Sequence, residues 1–395
     1  MRSAAANKSM DKQAWGGVFA LSLAAFSLVA SEFMPVSLLS PIAADFHVSE
    51  GQAGQAIAVS GAFALFTSLF IASLSARLDR KVLLLLLTLL TMVSGSMVAF
   101  APNQMVFMAG RALIGIAIGG FWSMSAATAM RLVAPHRIPE ALALVNGGNA
   151  LATVVAAPLG SFLGGMIGWR WAFFSVVPVA ALAFCWKLLS LPSMPTGQQP
   201  TAGKLLSLLK IPYVTLGMAA TAFFFMGQFT LFTYLRPFLE SVAHVSSNTL
   251  SLLLLVIGVA GFIGTTLIGF LLRKALYRTL SLMPLVLAAI AVLLLLFGDV
   301  LVTDGILLAI WGLIATAAPV GWWTWLSRAL PQDSEAGGGL MVAVIQLAIM
   351  LGAELGGRLF DQKGYQATFL ASALLLLLAA ILAMLTARAN VSATP

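Results

Sequence analysis

Cysteine occurs once in 395 residues, at Cys185, which excludes any intrachain disulfide. Charge is nearly as scarce. Asp, Glu, Lys and Arg make up 9% of the chain, where a soluble domain carries about 25%. Three scattered His exclude a metal cluster, no glycine loop of the GxxxxGKS type is present, and no catalytic triad pattern appears. These absences argue against an enzyme, a nucleotide-driven machine and a bound cofactor. What fills the chain is apolar: 61% of its residues, for a mean hydropathy of +1.02. Runs of about 20 apolar residues recur throughout, which predicts an all-α membrane protein and excludes a β-barrel. The polar, Lys-bearing N-terminus leads into a full-length run without a small-residue cleavage site, so no cleavable signal peptide is expected.

Twelve spans are expected, near 15–39, 52–75, 82–101, 105–131, 141–166, 171–190, 212–236, 248–272, 279–298, 304–327, 338–358 and 367–387. The net charge of +8 is distributed by loop rather than gathered into a nucleic-acid surface. Arg2, Lys8 and Lys12 precede the first span; Arg77, Arg80, Lys81, Arg131, Arg137, Lys187, Lys204, Lys210, Arg273, Lys274 and Arg278 follow even-numbered ones or lie near the centre. The opposite loops carry only Arg170, Arg236, Arg358 and Lys363. The positive-inside rule then puts both termini and the central loop in the cytoplasm. A polar stretch rich in Pro, Gly, Gln and Thr divides the chain into 1–190, a linker over 191–211, and 212–395.

The two parts share a pattern. Leu159-Gly160, Gly168-Trp169-Arg170 and Phe173-Phe174 match Leu355-Gly356, Gly364-Tyr365-Gln366 and Phe369-Leu370 at an offset of 196. The same offset carries Ser31-Glu32-Phe33 onto Gly227-Gln228-Phe229, and Arg77 onto Arg273. Gly120-Phe121-Trp122-Ser123 finds its counterpart in Gly321-Trp322-Trp323-Thr324, slightly out of register. Such a duplication predicts two six-helix pseudo-repeats around a central cavity, the major facilitator arrangement.

Glu32 stands out within the first span. A carboxylate at membrane depth costs roughly 2.5–3.5 kcal/mol on insertion scales. Pro35 beside it lacks the N–H that would bond the Ser31 carbonyl. Glu32 reads either as a carboxyl that takes up a proton on one side and releases it on the other, or as a structural acid tied to a neighbouring helix. Arg111, inside the fourth span, either acts on Glu32 through its charge or anchors helices. Glu354 is a further acid, late in the eleventh span.

Gln228, Gln346, Thr230, Thr233 and Tyr234 are polar groups on apolar helices. A Gln offers two donors and an acceptor, which suits sugar hydroxyls or a nucleobase edge; it can equally bridge helices. Trp122 and Trp323 are the stacking candidates by repeat position, and the other indoles of Trp322-Trp323-Thr324-Trp325 fit an interfacial belt. A small, neutral, planar and hydroxylated substrate suits this set better than a polycation.

Ser31-Glu32-Phe33-Met34-Pro35-Val36, Gly119-Gly120-Phe121-Trp122-Ser123-Met124-Ser125 and Ala157-Pro158-Leu159-Gly160-Ser161-Phe162-Leu163-Gly164 resemble the drug:proton antiporter branch of the major facilitator superfamily. Gly227-Gln228-Phe229, Phe232-Thr233-Tyr234, Pro319-Val320-Gly321-Trp322 and Val342-Ala343-Val344-Ile345-Gln346-Leu347 extend the likeness through the second part. Within that branch the chain is most similar to bacterial purine ribonucleoside exporters. The resemblance implies proton-coupled export of inosine- and guanosine-type nucleosides from a bacterial inner membrane, by a lipid-embedded monomer driven by the proton gradient. Alternatives are a broad multidrug or sugar exporter, an uptake symporter, or a non-transporting membrane receptor or assembly factor.

Arg111 with Gly115 resembles the family's fourth-helix motif, which implies a part in proton transfer. Gly148 to Gly164 resembles the antiporter motif of the fifth helix, with Ala157 at a usual glycine. The loop Ala72–Lys81 has Ala72 and Ala76 where the family has glycine and aspartate, and Asp79 where it has a second glycine. Asp79 is therefore expected to supply part of that loop's charge lock.

Overall fold

A computed structural model describes residues 2–75, 78–194, 207–331 and 333–393. Arg77, Ala76, Lys204 and most of the 191–211 linker lie outside the described residues. The described chain is helical throughout. In order, the helices are α1 Arg2–Ser37, α2 Leu39–Phe46, α3 Glu50–Ser75, α4 Arg80–Ala99, α5 Gln104–Leu132, α6 Ile138–Ile167, α7 Trp169–Phe174 and α8 Val176–Ser190. There follow α9 Pro212–Phe232, α10 Leu235–Ser241, α11 Ser247–Phe297, α12 Leu301–Ala315, α13 Ala318–Ala329 and α14 Ser334–Ala393.

These form ten apolar segments long enough to cross a membrane, against the twelve expected. The difference is one of joining. Helices α11 and α14 run for 51 and 60 residues, or about 75 and 90 Å at 1.5 Å per residue, more than twice a hydrocarbon core of about 30 Å. Each is broken once, at Ala275 (φ −152, ψ 61) and at Gly364 (φ 80, ψ −178). The short links expected at those places fold as sharp bends with no intervening loop. Gly364 adopts a backbone conformation open in practice only to glycine. Gly168, at the α6–α7 junction, has the same geometry (φ 84, ψ 154). The left-handed non-glycine residues also come as a pair, His47 and His244.

Packing follows chain order. Helix α1 lies on α6 and α8, and α5 lies on α3 and α4, while α9 packs on α14 and α11 on α12 and α14. The two groups meet along α3 against α14 and α6 against α11. Small residues allow the backbones to close. A Cβ on Gly119 would meet the Ala64 carbonyl of α3, and one on Gly258 the Val154 carbonyl of α6. Large apolar side chains such as Phe66, Phe70, Leu252 and Leu267 face outward, as lipid contact requires.

At the end away from Arg80, Arg131 and Arg278 the groups bond directly, and they do so at helix ends, where backbone groups are unpaired. The Asp361 carboxylate accepts from the Ser49 hydroxyl at 2.6 Å and from the Gly51 amide at 3.0 Å, at the start of α3. The Arg236 guanidinium donates to the Ser37 carbonyl at the end of α1 and bonds Glu240 at 2.8 Å. Within the first group, at the same end, Arg170 pairs with Asp45 at 2.6 Å.

At the basic end Asp79 caps α4. It accepts from the Lys81 amide at 2.7 Å, the Met194 amide at 2.9 Å and the Ser193 hydroxyl. The expected charge lock is therefore spent within the first group, on the chain that leads into the linker. Burial opposes charge on Asp79, but the Ser193 hydroxyl and the Lys81, Met194 and Val82 amides outweigh it and hold the carboxyl below its usual range. A depressed carboxyl stabilises the fold above its unfolded value of about 3.9 and ceases to do so as pH falls through its folded value. Asp79→Ala should thus lower the thermal midpoint at neutral pH, at a cost of about 0.5–2 kcal/mol as for a lost helix cap. The gap from wild type should narrow below about pH 4. Melting curves of the detergent-purified pair across pH check this.

Candidate functional site

Pro35 leaves the carbonyl of Ser31 without its helical donor, and the structure shows what takes it. Arg111 of α5, fully buried, donates from Nη1 to the Ser31 carbonyl at 2.8 Å. Its Nη2 reaches the Glu32 carbonyl and the Ser60 hydroxyl, each at 3.2 Å, and its Nε the Ala56 carbonyl at 3.2 Å. One planar fork thereby ties α5 to the kinked part of α1 and to α3. The guanidinium makes no ion pair with the Glu32 carboxylate. The contacts anchor the backbone of α1 and α3 and place the cation directly behind Glu32, where its charge also acts on the carboxyl.

The Glu32 side chain points the other way. It is 7% exposed, and its Oε1 accepts from Gln346 Nε2 of α14 at 3.4 Å, at the long end for such a bond. The acid of the first group is thus met by an amide of the second. One residue on, Phe33 stacks on Phe229 of α9, with ring centroids 5.8 Å apart. Glu32, Arg111 and Gln346, far apart in sequence, are brought together at the seam.

The other candidates stand apart from this trio. Gln228 is half-buried, next to Phe229. Its Oε1 is buried without a partner among the described residues, as are Gln346 Oε1 and Thr233 Oγ1. A buried acceptor left unpaired costs about 1–3 kcal/mol. Thr230 donates to Met226 and Gly352 carbonyls. Tyr234 is fully buried; its hydroxyl donates to the Ala353 carbonyl at 2.8 Å and its ring stacks on Phe360. It therefore packs closely on Gly54 and Gly357 at the bonded end. Glu354 bonds Arg358 at 2.7 Å on the same helix. Trp122 is half-buried, edge-on to Phe121, whereas Trp323 is 41% exposed on α13.

Lys187 was counted with the basic loops, and the structure buries it completely. Its Nζ donates to Thr88 Oγ1 at 2.8 Å and lies 5.2 Å from the Phe121 ring, beside a small cavity lined by Ser27, Leu28 and Thr91. The signal was present: Val176, Ala180, Ala183 and Lys187 recur at helical spacing, and they are the buried stripe of α8.

The sequence and architecture match a known family. The family model described as Major Facilitator Superfamily matches residues 21–338. The chain belongs to that superfamily. That is a family of multi-pass membrane transporters, not of enzymes. A Pseudomonas aeruginosa protein named transcription regulatory protein OpdE is 58% identical, over 98% of each chain. The purine ribonucleoside efflux pump NepI of Escherichia coli K12 is 42% identical, over 93% of each. Among solved structures, a bacterial homologue of the human lysosomal transporter Spinster, inward-facing and unoccupied, superposes with a TM-score of 0.77 at 16% identity. That match covers 96% of this chain and 98% of the other.

The Arg111 geometry yields a double-mutant test. Arg111→Lys replaces a fork with a point donor and strands at least one buried carbonyl, at a cost of about 1–3 kcal/mol. Pro35→Ala returns an N–H to Ser31, so Arg111→Lys should cost measurably less in the Pro35→Ala background than in wild type. Thermal midpoints of the four proteins give the coupling, and strict additivity would mean that the Ser31 carbonyl is not what Arg111 serves.

Proposed function

We propose that the protein is a proton-coupled antiporter that exports small neutral substrates, purine ribonucleosides of the inosine and guanosine type, across the bacterial inner membrane. The observation that carries this reading is the seam contact. A carboxyl held between the two helix groups, bonded by an amide rather than by a cation, is placed to change partner when it changes charge. The 42% identity to proteins named purine ribonucleoside efflux pump supports the substrate class, and the orphaned amide oxygens of Gln228 and Gln346 suit a neutral ligand rich in N–H and O–H donors.

In this reading α11 and α14 each cross the membrane twice, giving twelve crossings in two pseudo-repeats. The paired backbone exceptions, Gly168 with Gly364 and His47 with His244, support the duplication. Both termini face the cytoplasm by the basic-loop rule, so the bonded end is the periplasmic one. Glu32 is the proton-carrying group, Arg111 its positioning residue, and Gln228, Gln346, Trp122 and Trp323 the substrate contacts. Tyr234 and Thr233 border the bonded end. The proton gradient is the energy source, no cofactor takes part, and the monomer is the working unit.

The cycle begins at the periplasmic face with Glu32 protonated and substrate gone. The groups rock, Glu32 loses its proton to the cytoplasm, substrate binds beside the amides, and the return carries it out. The name of the 58% identical relative favours one other reading, a membrane protein of this fold that regulates rather than transports. Flux decides between them. In proteoliposomes with an imposed pH gradient, wild type should move labelled inosine against its gradient with matching proton movement. Glu32→Gln should retain passive exchange and lose proton drive by roughly a hundredfold, the scale of a lost general acid–base group. Absence of nucleoside flux in wild type would leave the regulatory reading standing.

A further inference from the structure

The amide of Gln346 is asymmetric in its use. Its nitrogen is on Glu32 and its oxygen is buried with no partner among the described residues. An ionised carboxylate only accepts, so it selects the nitrogen; a protonated one carries an O–H, which an amide nitrogen cannot accept and an amide oxygen can. Rotation about χ3 of Gln, a broad two-fold torsion, exchanges the two ends without moving the backbone. We propose that Gln346 is the specificity-determining residue that converts protonation of Glu32 into release of a ligand recognised through an N–H. With Glu32 ionised, the amide oxygen faces the ligand and accepts from it. With Glu32 protonated, the carboxyl donates to that oxygen and the amide nitrogen, a donor, is turned to the ligand instead.

The balance is simple. One O–H bond forms on Glu32 with a proton taken from solvent, no other covalent bond changes, and one hydrogen bond replaces another. The ligand then meets donor against donor, which costs it both the lost bond and a repulsion. A nucleobase edge bearing N–H next to a carbonyl, as in a 6-oxopurine, is the chemical class this recognises. This rests on the proton-coupled nucleoside reading above and specifies its site.

Among the described residues, the other charged groups near Glu32 are engaged elsewhere or lie toward the helix ends. Arg111 of α5 is the charged group packed behind Glu32, and its donors are engaged by the Ser31, Glu32 and Ala56 carbonyls and the Ser60 hydroxyl. On α3 the titratable residue is Glu50, on α10 Arg236 and Glu240, and on α14 Glu354, Arg358, Asp361, Lys363 and Tyr365, all toward the bonded end, with Glu335 and Arg388 at the two ends of α14. Of the helices packed on α1, α6 carries Glu140 in its first turn, and α8 carries Lys187, buried beside Ser27 and Leu28 and bonded to Thr88. Helix α9 presents Phe229.

The test needs no mutation at first. Binding of inosine and of purine riboside, which has the same ribose but no N–H on that edge, is measured on purified wild type at about pH 8.5 and about pH 5.5, either side of neutrality. Inosine should weaken by roughly tenfold or more on acidification, and purine riboside should not. Gln346→Leu should bring the two ligands to similar affinity and remove inosine's pH dependence, while Glu32→Gln should fix inosine at one affinity across pH. Parallel titration of the two ligands in wild type, or a folded Gln346→Leu protein that keeps inosine's pH dependence, overturns the proposal and leaves nucleoside transport intact. Failure of wild type to bind inosine at either pH overturns the nucleoside reading itself.

Discussion

The bond from Arg111 to the Ser31 carbonyl is the constraint on which the arrangement of the first helix group depends. Proline at position 35 creates a backbone acceptor in the apolar interior that its own helix cannot satisfy. An arginine at the other side of the group satisfies it and spends its remaining donors on the Glu32 carbonyl and on α3. The two anomalies of composition, a buried cation and a mid-helix proline, thus resolve each other. Their joint effect is to fix the rotation of α1, and with it the direction of Glu32, toward α14.

From that orientation the larger architecture follows. The helix groups touch along two lines, α3 on α14 and α6 on α11, where glycines let carbonyls and Cα atoms come close. At one end they are joined by polar contacts between helix termini, as Asp361 takes the Gly51 amide in the first turn of α3 and Arg236 takes the last carbonyl of α1. Contacts of this kind are made from groups that water can also satisfy. They can therefore open at modest cost, unlike a welded apolar core, and a transporter requires that of the seam between its halves.

Much of this was legible in the residues. Long apolar runs and the sign of the loops gave the helical plan, because both are strong one-dimensional signals. Helices α11 and α14 ran on where two links were expected: the polar residues of 273–278 and 359–366 are there, but the chain turns at single residues, Ala275 and Gly364, rather than over a loop. Glu32, Arg111 and Gln346 were visible as polar groups out of place, yet their meeting depends on three helices from two groups and no spacing rule encodes it. Tyr234 drew attention for the same reason, and its hydroxyl turned out to serve the Ala353 carbonyl. Lys187 was missed because it was grouped with Lys204 and Lys210 of the following linker, although the stripe of α8 already placed it inward.

The division of labour across the seam bears on mechanism. The charged groups at its centre, Glu32 and Arg111, belong to the first helix group, whereas the amides with free oxygens, Gln228 and Gln346, belong to the second. A single long hydrogen bond joins the two sets. Coupling between two binding events usually amounts to about 1–3 kcal/mol, and a hydrogen bond to a charged group contributes about 1.5–3 kcal/mol. One such contact, made in one protonation state and altered in the other, is therefore large enough to link proton and substrate without an extended network. It also breaks when the groups separate. Hence the device that senses the proton and the device that senses the conformation are, on the proposed reading, the same bond.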